Sequence, residues 1–357
     1  MRKSFGYLLR QDWTKDKRLF SLLLLPFFVL IYLPPVDAQE NYFATLDVSR
    51  IVPISMGGAY AAVEDGIGSI AYNPASVKFW NLKRGFHFSL IVNPVASTGL
   101  FLYYKDNQIT PLSEGQWWSV ARTLVKGVVF SIPPFQAGVR LYEEPLQRYR
   151  NLSGKNIFSA RSFLSNHYET AFTRINLADR FSLGGTLSYY TFEDSGRVKR
   201  GLGASYGMLI KPARNLNVGI MFYDVPDAIQ NIRLPLERMV DETVNVGLSY
   251  TPFHGTTTSL DIRNISEETK PASREVHFGM EQKFGRVFGV RGGYFQENET
   301  RKKYFSAGIG LLSTNLFRPD NAKYDSADYV FNYSYVIERS DMQWKDQWHL
   351  FSFLFYF

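Results

Sequence analysis

Five histidines, His87, His167, His254, His277 and His349, are where acid–base or metal chemistry would start in this chain, and they are scattered along 357 residues. No two stand at the helical spacing that lets a pair of imidazoles share a metal ion, so no metal is expected. His167 with Glu169, and His277 with Glu281, share side-chain parity if their segments are strands, which would place imidazole and carboxylate on one surface. Inside a barrel such groups either form an acid–base site or are solvated lumen residues and plug contacts, and the second reading is the plainer one. Arg140, Asp261, Arg263 and Arg291 fall on the same inward parity, where mutual ion pairs are their simplest use. With zero cysteines there is no thiol nucleophile, no cysteine-ligated metal and no lipidated cysteine. Ser153-Gly154-Lys155 lacks the upstream glycine of a phosphate loop. No residue demands an enzyme, and neither a cofactor nor a metal is called for.

The elements that would carry these residues read as strands. From residue 85 onward the apolar signal has period two, in segments of about eight to twelve residues separated by Gly, Asn, Asp, Pro or charges. Val244, Val246, Leu248 and Tyr250 form one face, while Thr243, Asn245, Gly247 and Ser249 form the other. The split recurs in 200–211, 274–285, 303–313 and 327–338, where Tyr329, Phe331, Tyr333 and Tyr335 share the apolar side. About fourteen such segments can be counted, 98–104 among them. Segment 117–132 is ambiguous, because Trp117 to Val128 reads as a short helix or a poorly patterned strand.

Alternation alone does not say which face is wet, since soluble sandwiches alternate too. Other features favour a membrane barrel. Residues 19–33 are apolar except for Ser21, Pro26 and Tyr32, and they follow Lys15, Lys17 and Arg18. At about 1.5 Å per residue such a run spans about 22 Å, short of a hydrocarbon core of about 30 Å. With small Val36 and Ala38 it reads as a cleavable export signal over 1–38, cut before Gln39. The net charge of +7 divides into +3 in those 38 residues and +4 in the remainder, without a basic block, so no nucleic-acid partner is indicated. The apolar faces are rich in aromatics, as lipid-facing strands and their interfacial girdles require.

Residues 39–84 lack sustained alternation and are rich in Gly and Ala. Their core contains Met56-Gly57-Gly58-Ala59, the acidic Glu64-Asp65 and Asn73-Pro74-Ala75. In this order, ahead of a strand-rich body, these elements resemble the N-terminal hatch of the FadL superfamily of outer-membrane barrels, which includes hydrophobic-compound channels and the PorV/PorQ proteins of type IX secretion. Gly279-Met280-Glu281, Val290 to Phe295 and Phe305 to Gly310 are similar to the PorV/PorQ branch. The alternating Phe351, Phe353, Phe355 and terminal Phe357 resemble the signal read by the outer-membrane barrel assembly machinery.

The expected fold is therefore all-β: a transmembrane antiparallel barrel of about 14 strands over 85–357, with an N-terminal hatch over 39–84. The resemblance implies passive uptake of long-chain fatty-acid-like hydrophobic compounds across the bacterial outer membrane, gated by a hatch in which Met56, Gly57, Gly58, Glu64, Asp65, Asn73, Pro74 and Ala75 are the candidate residues. A greasy pocket between hatch and wall would accompany that role. The alternative it implies is a shuttle or scaffold of a secretion system, with segments 145–160 and 315–328 touching secretion proteins. Lipid is a partner in either case.

Overall fold

The computed structural model describes residues 39–43, 48–79, 85–106, 112–143, 166–194, 197–224, 243–265, 274–285, 287–313, 329–340 and 343–357. The leader and segments 145–160 and 315–328 lie outside the described residues.

All described strands belong to one sheet. In chain order they are β1 (Gln39–Phe43), β2 (His87–Val92), β3 (Val125–Ile132), β4 (Phe135–Glu143), β5 (His167–Ala178), β6 (Phe181–Asp194), β7 (Arg197–Ala213) and β8 (Leu216–Asp224). There follow β9 (Thr243–Tyr250), β10 (Thr256–Ile265), β11 (Glu275–Phe284), β12 (Phe288–Glu297), β13 (Lys302–Ser313), β14 (Tyr329–Ser340), β15 (Gln343–Phe353) and β16 (Phe355–Tyr356). From β2 to β15 each strand pairs antiparallel with the next. β16 continues β15 past Leu354 and pairs back onto β2, Phe355 with Val92 and Tyr356 with Ile91. That contact closes a barrel whose wall is β2 to β14 plus the interrupted last strand. β1 adds to this wall in parallel, Gln39 opposite Asp346 through Phe43 opposite Leu350.

Which face is wet is now settled. On β9, Thr243, Asn245, Gly247 and Ser249 are buried while Leu248 and Tyr250 are exposed, and the pattern repeats with Leu187, Leu202, Tyr206, Leu260, Ile262, Val276 and Phe278. Apolar side chains on the outside and polar ones within invert the soluble arrangement and are stable only against hydrocarbon. The chain is a transmembrane β-barrel. Among the described residues the sheet is nearly closed, which limits unpaired edge in the lipid, where an unsatisfied backbone group costs several kcal/mol.

Two expectations need correction and one open assignment is resolved. Segment 98–104 is helical, inside α2 (Pro94–Asp106); Asn93 Oδ1 accepts the Val95 amide at 3.0 Å and Pro94 opens the helix, a start that overrides the short alternation. The ambiguous stretch divides into α3 (Glu114–Leu124) and β3, because Ser113 and Gln116 form a capping box at the start of α3. Tyr329 turns inward at the start of β14 and is 1% exposed, its ring 5.4 Å from Arg291 Cζ. The count of about fourteen survives because β3 replaces the lost strand.

Residues 48–79 occupy the barrel interior as a helix, α1 (Val48–Ser55), followed by 3-10 turns at Ile67–Ala71 and Pro74–Ser76. The apolar core lies between this inner segment and the wall. At one place Ile51 and Ile54 pack with Phe295, Tyr304, Val336, Trp348 and Leu350. At another Ile67, Ile70, Val77 and Phe79 pack with Ile91, Val129, Phe172, Leu354 and Tyr356.

The candidate site: an inner segment locked to the barrel wall

The inner segment approaches the wall at backbone distance, which glycine alone permits. A Cβ placed on Gly184, Gly207, Gly219, Gly279, Gly293 or Gly308 would come closer than 3.0 Å to Pro74, Asn73, Ala61, Met56, Gly57 or Ser55 respectively. These residues sit on six strands from β6 to β13, and Gly184 with Gly207 and Gly279 with Gly293 are register partners. A belt of missing side chains therefore runs around the inner wall and seats the segment. Gly57 and Gly58 meet it with φ of +61° and +77°, the left-handed region that other residues occupy at a cost.

Where β10 crosses the belt, the register partner of Gly247 is Asp261. Its Oδ2 accepts the amides of Tyr60 at 2.7 Å and Ala61 at 2.9 Å. Asp261 is thus an anchor for the inner segment's backbone rather than half of an ion pair. Arg263 likewise donates to the Gly58 carbonyl and lies over the Tyr72 ring, 5.1 Å from its centroid. Arg140 donates to Ser49 Oγ and, at 3.3 Å, to Thr170 Oγ1. The expected mutual ion pairs are not seen among these four; Arg291 instead pairs with Glu281, its Nε 2.8 Å from Oε1.

Of the two proposed pairs, His167 and Glu169 come together, while His277 and Glu281 do not. His277 sits between Gly57 O at 2.6 Å and Glu275 Oε2 at 3.0 Å, while Glu281 is taken by Arg291 and Lys283. Both ring nitrogens of His277 face acceptor atoms, the Gly57 carbonyl and the Glu275 carboxylate. His167 and Glu169, 3.7 Å apart on β5, belong to a separate place where His167 stacks on Tyr142. Of these groups His277 contacts the inner segment's backbone, and among the described residues no set of three potential ligands gathers for a metal.

The segment's own residues complete the lock. Asn73 donates to Ala61 O at 2.7 Å and Met208 O at 3.1 Å while its Oδ1 accepts the Ala75 amide at 3.0 Å. Pro74 and Ala75 lie against Gly184. Met56 is buried with Tyr60, Val63 and Tyr72. Asp65 accepts from Tyr60 OH at 2.7 Å, and burial foremost, with the Asp65 charge next, pushes that phenol well above its usual range. Glu64 reaches three cations, Lys211 at 2.7 Å, Arg174 at 3.0 Å and Lys78 at 4.0 Å. Burial pushes the Glu64 carboxyl up, but these cations together hold it below its ordinary value. The sequence reading missed Arg174, Lys211 and Lys78 as partners of Glu64; inward parity was an available signal for Arg174 and Lys211, while Lys78 lies on the inner segment itself.

Among the described residues, the apolar contacts above occupy the places where a greasy pocket between hatch and wall is expected. One open space there, about 570 Å³, is lined chiefly by polar groups, including Glu64, Arg174 and Lys211. A second, about the size of a water molecule at 20 Å³, lies near Arg50, Arg140 and Tyr223. At the end of the chain, Phe351, Phe353 and Phe355 are half-buried on the outer face and Phe357 is exposed. The Phe357 backbone exchanges two 2.9 Å hydrogen bonds with Leu90, so the terminal residue takes part in closure.

The wall itself changes character at one place. β2 ends at Val92, and above its contact with β16 the edge of β15 is covered by β1 in parallel. The connection from β2 to β3 is made by α2 and α3, which expose Phe101, Leu102, Trp117 and Trp118. This seam is the part of the described wall that antiparallel pairing does not hold.

No protein-family model and no curated protein matches the sequence. Among solved structures, the CymD monoaromatic hydrocarbon channel aligns over 83% of this chain and 94% of its own, at 11% identity and a TM-score of 0.43. The P. putida toluene transporter TodX aligns over 84% and 92%, at 10% identity and 0.40. A variant of Rh. blastica porin aligns over 65% and 78%, at 13% identity and 0.34. The barrel assignment rests on the strand register.

Proposed function

We propose that the protein is an outer-membrane channel for passive uptake of hydrophobic compounds, long-chain fatty-acid-like molecules among them, in which residues 48–79 act as the hatch. The observation that carries this reading is the seam between β2 and β15. The hatch fills the axis, so an apolar solute needs a way through the wall, and the seam is where the wall depends on one short parallel strand. Five residues of parallel pairing are easier to displace than the ten or more register pairs that join neighbouring strands such as β12 and β13. The exposed aromatic surface of α2 and α3 beside it offers such a solute a place to collect.

The test uses the absence of native cysteine. Tyr42 and His349 are register partners, so the double variant Tyr42→Cys, His349→Cys can be bridged across the seam. In proteoliposomes the oxidised variant should lose uptake of a long-chain fatty acid and regain it on reduction. Equal uptake in both states would refute a route through the seam.

A second reading has its own support. The hatch is held around most of the circumference, and the larger cavity is polar rather than greasy. Both suit a sealed barrel of the PorV/PorQ kind, acting as shuttle or scaffold in protein secretion. Native mass spectrometry of gently extracted protein separates the two: bound acyl ligand on a lone barrel supports transport, and a stoichiometric protein partner on an empty barrel supports secretion.

A further inference from the structure

The 570 Å³ cavity opens at the barrel end that carries the β3–β4 turn at Pro133-Pro134 and the β5–β6 turn. Short turns of this kind mark the periplasmic end of outer-membrane barrels. Its electrostatics are unbalanced. Lys78, Arg174 and Lys211 converge on the carboxylate of Glu64, and with Asp179 also in the lining the cavity sets three cationic side chains against two carboxylates. Arg174 is 3% exposed, and its Nη1 and Nη2 are engaged with Val77, Glu64 and Ser182. Gln136 and Ser182 add further polar lining.

We propose that this cavity is a binding site for a small soluble oxyanion, a phosphate or compact polycarboxylate, held by Arg174, Lys211 and Lys78 beside the hatch carboxylate Glu64. The ligand is soluble rather than a lipid headgroup, because Arg174 and Ser182 lie on the buried inward parity of β5 and β6 and not on the lipid face. Glu64 repels this ligand and competes for its cations. Removing the Glu64 charge therefore strengthens binding, whereas removing either lysine charge weakens it.

Isothermal titration of the full-length, detergent-solubilised protein with inorganic phosphate, and separately with citrate, at low salt and pH 7 tests this. Saturable binding is expected with at least one of the two. Glu64→Gln should tighten it about tenfold, and Lys211→Gln and Lys78→Gln should each weaken it about tenfold, a change of about 1.4 kcal/mol. Hydrogen exchange across residues 48–79 checks that each variant keeps its hatch seated. Lack of saturable binding to the native protein overturns the proposal, as does binding that the lysine variants leave unchanged. Because the readout is anion binding, its failure leaves hydrophobic uptake untouched, and the reverse also holds.

Discussion

Gly293 and Gly292 are adjacent in β12 and point to opposite faces, which makes them a matched test of the glycine belt. A Cβ on Gly293 would meet the Gly57 amide nitrogen, the Met56 carbonyl carbon and Gly57 Cα, all backbone and none able to rotate away. On Gly292 its nearest neighbour would be Ser306 O at 3.9 Å, an ordinary contact. In Gly293→Ala the hatch must move off the wall. Overpacking of this kind costs about 1–3 kcal/mol. The movement also strains the bond from the Gly57 amide to Ser306 Oγ, 3.0 Å, and that between His277 and Gly57 O, 2.6 Å. Loss of one such bond adds about 1 kcal/mol. The sum, about 2–4 kcal/mol, corresponds to a roughly 30- to 700-fold rise in the opening equilibrium of the hatch. Amide hydrogen exchange by mass spectrometry should show that rise across residues 56–61 in Gly293→Ala, with the strands still protected and Gly292→Ala unchanged. Equal protection in the two variants would refute the backbone-distance seating of the hatch.

Asp261→Ala should free two hatch amides that now share one carboxylate oxygen, loosening residues 60–61 by about 3–5 kcal/mol, whereas Asp261→Asn, which keeps an acceptor, should lose less; the same exchange measurement reads both. Glu64 is held below its ordinary value, near 4.5, so its latch is fully present above that pH and is lost as pH falls through its lowered folded value. Protection of the hatch around residue 64 should therefore be flat from pH 7 to about 5 and decline in stronger acid, and Glu64→Gln should abolish that part of the decline. Leu248, exposed on the outer face of β9, should tolerate Phe, while Leu248→Arg should destabilise the barrel by up to about 2–4 kcal/mol in denaturant titrations from lipid vesicles. No difference between these two variants would contradict a lipid-facing position.

The barrel was legible because period-two patterning survives in nearly every strand. Val244 to Tyr250 alternates as a strand with one polar face must, and the chain ends on Phe351, Phe353, Phe355 and Phe357 of a single face. Residues 98–104 misled because Leu100-Phe101-Leu102-Tyr103 is short and apolar, where helix and strand patterns coincide; the deciding signal was the start at Asn93-Pro94 outside the run. The hatch was legible as a motif but not as a mechanism. Nothing local to Gly184, Gly207, Gly279 or Gly293 shows that another part of the chain lies against them. For the same reason Asp261 and Arg263 looked like each other's partners. Their actual contacts, Tyr60, Ala61 and Gly58, are about 200 residues away in sequence.

The most direct test of the account is to reconstitute the full-length protein in liposomes and follow entry of two solutes, a long-chain fatty acid and a small sugar. A barrel sealed along its axis and passable at the seam admits the fatty acid well above protein-free vesicles and excludes the sugar. Sugar entry at a porin-like rate, or fatty-acid entry no faster than through lipid alone, would contradict it.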